Sequence, residues 1–122
     1  MMAATHMLAG AAAGLLIAQA HPQHNVITIG AVAVITALLP DIDHPQSWIG
    51  RRLFIISAIV GTLAGHRGIT HTILMLAIVA AFALALSPVM ALTRAIIVGY
   101  ASHLLLDMLT VSGVPLLAPV TW

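Results

Sequence analysis

Five apolar stretches, at residues 3–20, 26–39, 53–65, 72–87 and 89–109, take up most of the chain, with short polar turns between them. Runs of this length and this lack of charge read as helices whose solvent is lipid. The breaks carry turn chemistry: His21-Pro22-Gln23-His24-Asn25, Pro40-Asp41-Ile42-Asp43-His44-Pro45, Gly65-His66-Arg67-Gly68 and Ser87-Pro88. Hydrophobic residues make up 61% of the 122 and charged residues 6%, against about a quarter in soluble domains. A water-soluble fold of this size could not hide so much apolar surface. The expected fold class is all-α: a polytopic membrane helical bundle over residues 1–122, one domain, with about four transmembrane helices plus one short interfacial or re-entrant helix.

The stretch 53–65 decides the topology. As a helix rising 1.5 Å per residue it is only about 20 Å long, against roughly 30 Å of hydrocarbon. Arg51 and Arg52 stand at one end, His66 and Arg67 at the other. Lying in the interface or re-entering, it keeps residues 66–71 on the same face as Asp41 and Asp43, which is the economical arrangement. The helix at 72–87 then leaves that face, and the helix at 89–109 returns to it with His103 and Asp107; His6 belongs to the same face. Arg51, Arg52 and Arg67 on this side, against Arg94 opposite, place it and both termini in the cytoplasm. Ala18-Gln19-Ala20 has the form of a signal cleavage site, but no lysine or arginine precedes the apolar run, so the stretch reads as a retained helix. The pairs Gly10/Gly14 and Gly61/Gly65 read as helix packing sites. Trp48 and Trp122 suit the interfacial aromatic belts.

Histidine is the anomaly: seven of them in a chain with four arginines, no lysine, three aspartates and no glutamate. Ionisable groups at bilayer depth are costly unless paired, so each is a functional candidate. With no cysteine, any metal must be held by imidazole and carboxylate. The net charge of +1 is too weak a field for nucleic acid.

Every aspartate has a histidine within four residues. His103 and Asp107, spaced i,i+4, share one helix face and can chelate one ion; the alternative is a hydrogen-bonded packing pair. Asp41 and Asp43, set between prolines, repel each other unless a cation lies between them or one is protonated; capping and turn formation would account for one aspartate more readily than two. His66 and His71 must converge through a bend, for which Gly68 is suited, and Thr70 suits a helix N-cap. Arg67 is placed either to grip a phosphate or carboxylate or to anchor the cytoplasmic side. His6 joins the set only by convergence in space. His21 and His24 read as ordinary loop residues on the opposite face.

The motifs Leu39-Pro40-Asp41-Ile42-Asp43-His44-Pro45, His66-Arg67-Gly68-Ile69-Thr70-His71 and Ser102-His103-Leu104-Leu105-Leu106-Asp107, preceded by Thr5-His6, resemble the YdjM-like family of bacterial membrane-bound metal-dependent hydrolases. The resemblance covers nearly the whole chain and implies the bacterial inner membrane. The family is distantly similar to the zinc-dependent phospholipase C and single-strand nuclease superfamily, which implies phosphoester hydrolysis. That superfamily uses a further histidine and glutamate set that nothing after Asp107 matches, so one or two ions are expected.

The resulting expectation is a membrane-bound metal-dependent hydrolase of phosphoesters, with phospholipid head groups as candidate substrates and the bilayer as partner. The metal ligands are His6, Asp41, Asp43, His66, His71, His103 and Asp107; the ion is zinc, with manganese next. Arg67 steadies developing charge, and Asp41, if unligated, serves as general base. The competing expectation is a metal-binding or metal-transporting membrane protein without hydrolytic chemistry.

Overall fold

The computed structural model describes residues 3–64 and 68–120. The described residues form helices α1 (Ala3–Ala20), α2 (Val26–Leu38), α3 (Trp48–Arg52), α4 (Phe54–Ala64), α5 (Ile73–Leu86) and α6 (Met90–Met108), with 3₁₀ turns at Leu39–Asp43 and Ile69–His71. No strand occurs among them, so the all-helical expectation holds.

Local chemistry sets the boundaries. Asn25 caps α2, its side-chain oxygen accepting from the amides of Ile27 (2.9 Å) and Thr28 (3.1 Å). Pro40 has no amide hydrogen to continue the α-helical ladder, and the chain tightens into the 3₁₀ turn that carries Asp41 and Asp43. Ser47 caps α3 and donates to the carbonyl of Asp41 (2.8 Å), tying that helix back to the turn. The cap of α5 is Thr72, whose hydroxyl accepts from the Met75 amide, and not Thr70 as the sequence led us to expect. Thr70 lies inside the second 3₁₀ turn and points elsewhere.

Helices α1, α2 and α6 pack against one another, and α5 lies against α6. The buried faces are stripes of small residues at four-residue intervals: Gly10, Gly14 and Ala18 in α1, Ala33 and Ala37 in α2, Ala91, Ala95 and Gly99 in α6. A methyl group on Gly14 would sit 2.9 Å from the Ala33 side chain and from the Gly30 backbone; one on Gly99 would collide with the Ala33 carbonyl and the Thr36 hydroxyl. Such backbone approach lets van der Waals contact hold helices together where lipid removes the hydrophobic drive. The Gly10/Gly14 pair therefore packs as its spacing predicts. In the other pair Gly61 abuts the Asp43 carbonyl, and Gly65 lies outside the described residues.

The distribution of polarity is inverted relative to a soluble domain. His6, His71, His103, Asp43 and Asp107 are all at most 1% exposed, whereas Leu8, Leu16, Ile55, Leu63, Leu86 and Leu109 are all more than 60% exposed. Titratable groups inside and large aliphatics outside is the arrangement expected of a surface facing hydrocarbon. Among the described residues two segments, Ala3–Ala20 and Val26–Asp43, are long and apolar enough to cross a bilayer, against the four expected from the sequence. Helix α5 has 14 residues, about 21 Å, and α6 carries Arg94, His103 and Asp107 within its 19.

Helix α4, with 11 residues, leans on the Leu39–Asp43 turn and exposes Phe54, Ile55, Ile56, Ile59 and Leu63. It is about 16 Å long, too short to carry the chain across. The turn at Ile69–His71 packs against the turn at Leu39–Asp43, so the chain returns to the end it left. At the other end of the bundle, Arg94 and His21 meet at 2.9 Å.

Candidate metal centre

Four elements deliver side chains to one point: His6 from the first turns of α1, Asp41 from the 3₁₀ end of α2, His71 from the turn before α5, and His103 with Asp107 from the last turns of α6. His71 Nε2 lies 3.5 Å from Asp107 Oδ2 and 3.9 Å from Asp41 Oδ1. His103 Nε2 lies 3.4 Å from the same Asp107 oxygen and 3.6 Å from Asp41 Oδ1. Ligand atoms held 2.0–2.2 Å from a tetrahedral ion stand about 3.3–3.6 Å apart, so the spacing of Asp107 Oδ2 from the two imidazole nitrogens fits one zinc-sized ion, while Asp41 stands beside that set and not within it. Two sets have their ligand atoms all within 4.8 Å of one another, His71 with His103 and Asp107, and His6 with Asp41 and His103.

The state of each imidazole follows from what its far nitrogen touches. His103 Nδ1 lies 2.6 Å from the Ala37 carbonyl, which can only accept, so Nδ1 carries the hydrogen and Nε2 keeps its lone pair. Around His71 the order is also forced. Thr70 donates its hydroxyl hydrogen to Asp43 Oδ2 (2.7 Å), so the Thr70 oxygen accepts from His71 Nδ1 (3.0 Å), and Asp43 Oδ2 is itself 3.4 Å from that nitrogen. Both rings thus aim Nε2 at the centre, and neither Nε2 has a hydrogen-bond partner. Buried, partnerless imidazole nitrogens facing a carboxylate make a donor set suited to a divalent cation. In the metal-free protein burial works against a charge on His71, yet the nearby carboxylates of Asp107 and Asp43 prevail and raise its pKa to about 9.

His6 stacks on His103, ring centroids 3.7 Å apart, and reaches the other oxygen of Asp107 through Nε2 at 3.4 Å. Asp41 is the most accessible member, with 22% of its side chain exposed. Asp43 is buried and turned toward Thr70 and the back of His71. Of the residues singled out by sequence, His6, Asp41, His71, His103 and Asp107 converge; Asp43 meets the cluster at the far side of His71; His66 and Arg67 lie outside the described residues, as does Trp122. Trp48 lies at the start of α3 with the Arg52 guanidinium 3.6 Å over its ring.

Sequence reasoning missed Tyr100. Its hydroxyl donates to the Thr70 carbonyl, so it holds the turn that presents His71. A signal was available: the one tyrosine of the chain stands three residues before His103, on the same face of an apolar helix.

The whole chain, residues 1–122, matches the family described as YdjM inner membrane protein. The inner membrane protein YdjM of Escherichia coli (strain K12) is 48% identical over 96 residues, 74% of this chain and 48% of that protein, and YdjM of Shigella flexneri matches to the same extent. YvsG of Bacillus subtilis (strain 168), an uncharacterized protein, is 37% identical over 117 residues, 96% of this chain and 72% of YvsG. The chain spans about half the length of the YdjM proteins it matches. No solved structure matches it. With an inside-out helical bundle, a buried histidine and aspartate cluster at one end, and a match over its full length, this chain belongs to the YdjM inner membrane protein family.

Proposed function

We propose that this chain is a metal-dependent hydrolase of phosphoesters, seated in the bacterial inner membrane with its site at the cytoplasmic face. One observation carries the reading: His71 Nε2 and His103 Nε2 both lie within 3.5 Å of Asp107 Oδ2, while the partly exposed Asp41 stands beside them at the longer distances of 3.6 and 3.9 Å. Three protein ligands and an open fourth side distinguish a catalytic from a structural zinc site. A divalent ion, zinc first and manganese second, would lower the pKa of a bound water and polarise the phosphoester. Asp41 Oδ1 is placed to accept the proton that water gives up, because it is the carboxylate with access to solvent. His6, on the remote oxygen of Asp107, holds that carboxylate in place. Arg67, which the sequence offers either as an anion grip or as a cytoplasmic anchor, would take the first role and steady the charge on phosphate oxygens.

An imidazole nitrogen has one lone pair, and His103 spends its other nitrogen on Ala37, so the two ligand combinations that share His103 cannot each hold their own ion through it. One ion per chain is the reading. For the topology, α5 and α6 complete four crossings, α4 lies in the interface, and Arg51, Arg52 and Arg67 outvote Arg94 in favour of the cytoplasm.

The test is turnover of a panel of phospholipids and generic phosphoesters by the purified protein with zinc or manganese, wild type against His103→Ala. Turnover that depends on metal and is lost in the variant is expected; equal residual activity in both removes the hydrolase reading. A second reading, a metal-binding or metal-transporting protein without hydrolysis, draws on the burial of the cluster, since every member but Asp41 is at most 1% exposed. Stoichiometric metal without turnover of any substrate would favour it.

A further inference from the structure

We infer that Asp43 is a positioning residue and not a metal ligand: with Thr70 it clamps the far nitrogen of His71, and so sets the direction in which Nε2 faces the ion. The inference rests on the metal centre proposed above and specifies how one of its ligands is held.

His71 needs such a clamp more than its neighbours do. His103 and Asp107 sit on a regular helix, whose backbone fixes them, whereas His71 ends a three-residue 3₁₀ turn that also contains Thr70. Three contacts secure that turn from outside: the Asp43 carboxylate on the Thr70 hydroxyl at 2.7 Å and on His71 Nδ1 at 3.4 Å, and the Tyr100 hydroxyl on the Thr70 carbonyl. The direction of Asp43 is dictated by its own turn. At three residues per turn, Asp41 and Asp43 in one 3₁₀ segment project about 120° apart, so when Asp41 faces the centre Asp43 points to its side. Helix α4 keeps Asp43 there, since Gly61 is pressed so close that an added methyl would lie 2.6 Å from the Asp43 carbonyl. A carboxylate behind a metal-binding imidazole fixes its tautomer and raises its basicity, and losing such a partner typically weakens metal binding about 10–100-fold.

The test is titration of the full chain in detergent with cobalt(II), reading both affinity and the visible absorption of the bound ion, for wild type, Asp43→Asn, Thr70→Val and His103→Ala. Asp43→Asn is expected to bind one cobalt about 10–100-fold more weakly with the wild-type band shape, because the atoms touching the ion are unchanged. Thr70→Val should move affinity in the same direction by a smaller factor. His103→Ala should alter the band itself. Two results overturn the inference: a folded Asp43→Asn protein that binds cobalt as wild type does, or one whose band changes as in His103→Ala, which would make Asp43 a ligand. If Asp43→Asn does not fold, Thr70→Val decides, and wild-type affinity there overturns it equally. Wild-type protein that binds no cobalt would instead remove the metal centre itself.

Discussion

His71 meets a carboxylate at each ring nitrogen, and this governs what the metal-free protein does with protons. Its pKa of about 9 is raised above the ordinary 6.5, so the stabilisation it gives is fully present below pH 6.5 and is lost as pH rises through 9. Metal-free protein in detergent should therefore melt at progressively lower temperature across that window; a constant melting temperature would contradict the pairing. An ion takes the place of the Nε2 proton, so zinc binding at pH 7 should release protons, measurable by calorimetry in buffers of different ionisation enthalpy. His103→Ala removes a donor outright and should weaken zinc binding by more than the 10–100-fold typical of supporting residues. At this scale the sequence was informative where a regular helix sets the geometry: the i,i+4 spacing of His103 and Asp107 sufficed to put them on one face. It was uninformative for Asp43, because whether two aspartates share an ion depends on the rotation per residue of the backbone between them, and Pro40 had converted that backbone to a 3₁₀ turn.

At the level of elements, the centre is held by close contact of small residues. The stripe Ala91, Ala95, Gly99 in α6 runs straight on to His103 and Asp107, and the stripe Gly10, Gly14, Ala18 in α1 continues back to His6, each at four-residue steps. The metal-facing side chains are thus the last members of the packing faces, and helix separation displaces them. Gly99→Ala should cost about 1–3 kcal/mol of stability through overpacking against Ala33 and Thr36, and should weaken metal binding although Gly99 lies a full turn from the site. Thermal unfolding and zinc titration of the same sample check both parts; normal stability with normal affinity would refute the coupling. The glycine pairs were visible in the sequence. That they lead into the ligands was also written there, as a four-residue period, but a chain so rich in alanine and glycine offers many such periods, and contact with Ala33 is what selects the right ones.

For the whole molecule, the decisive element is α4. The chain leaves Asp43, travels through a short exposed helix and comes back to put His71 within 3.9 Å of Asp41, so the gathering of the site is a consequence of topology. Length made this legible, since the 11 residues of α4, about 16 Å, fall well short of the roughly 30 Å of hydrocarbon. The number of crossings was less legible, because α5 is short and α6 mixes charge with apolar residues. The natural absence of cysteine allows a clean topology test. A cysteine replacing exposed Arg52 should react with a membrane-impermeant thiol reagent only from the cytoplasmic side, and one replacing exposed Gln23 only from the opposite side. Labelling with the two sides exchanged would reverse the proposed orientation, and labelling of both from one side would contradict their placement at opposite ends of the bundle.

The claim on which the rest depends is that α1, α2, α6 and the turn before α5 build one metal centre. Its most direct measurement is the metal content of the protein purified in detergent without chelators. One zinc or manganese per wild-type chain is expected, and none in His103→Ala at comparable folding. Folded wild-type protein without stoichiometric metal, and unable to take any up, would contradict it.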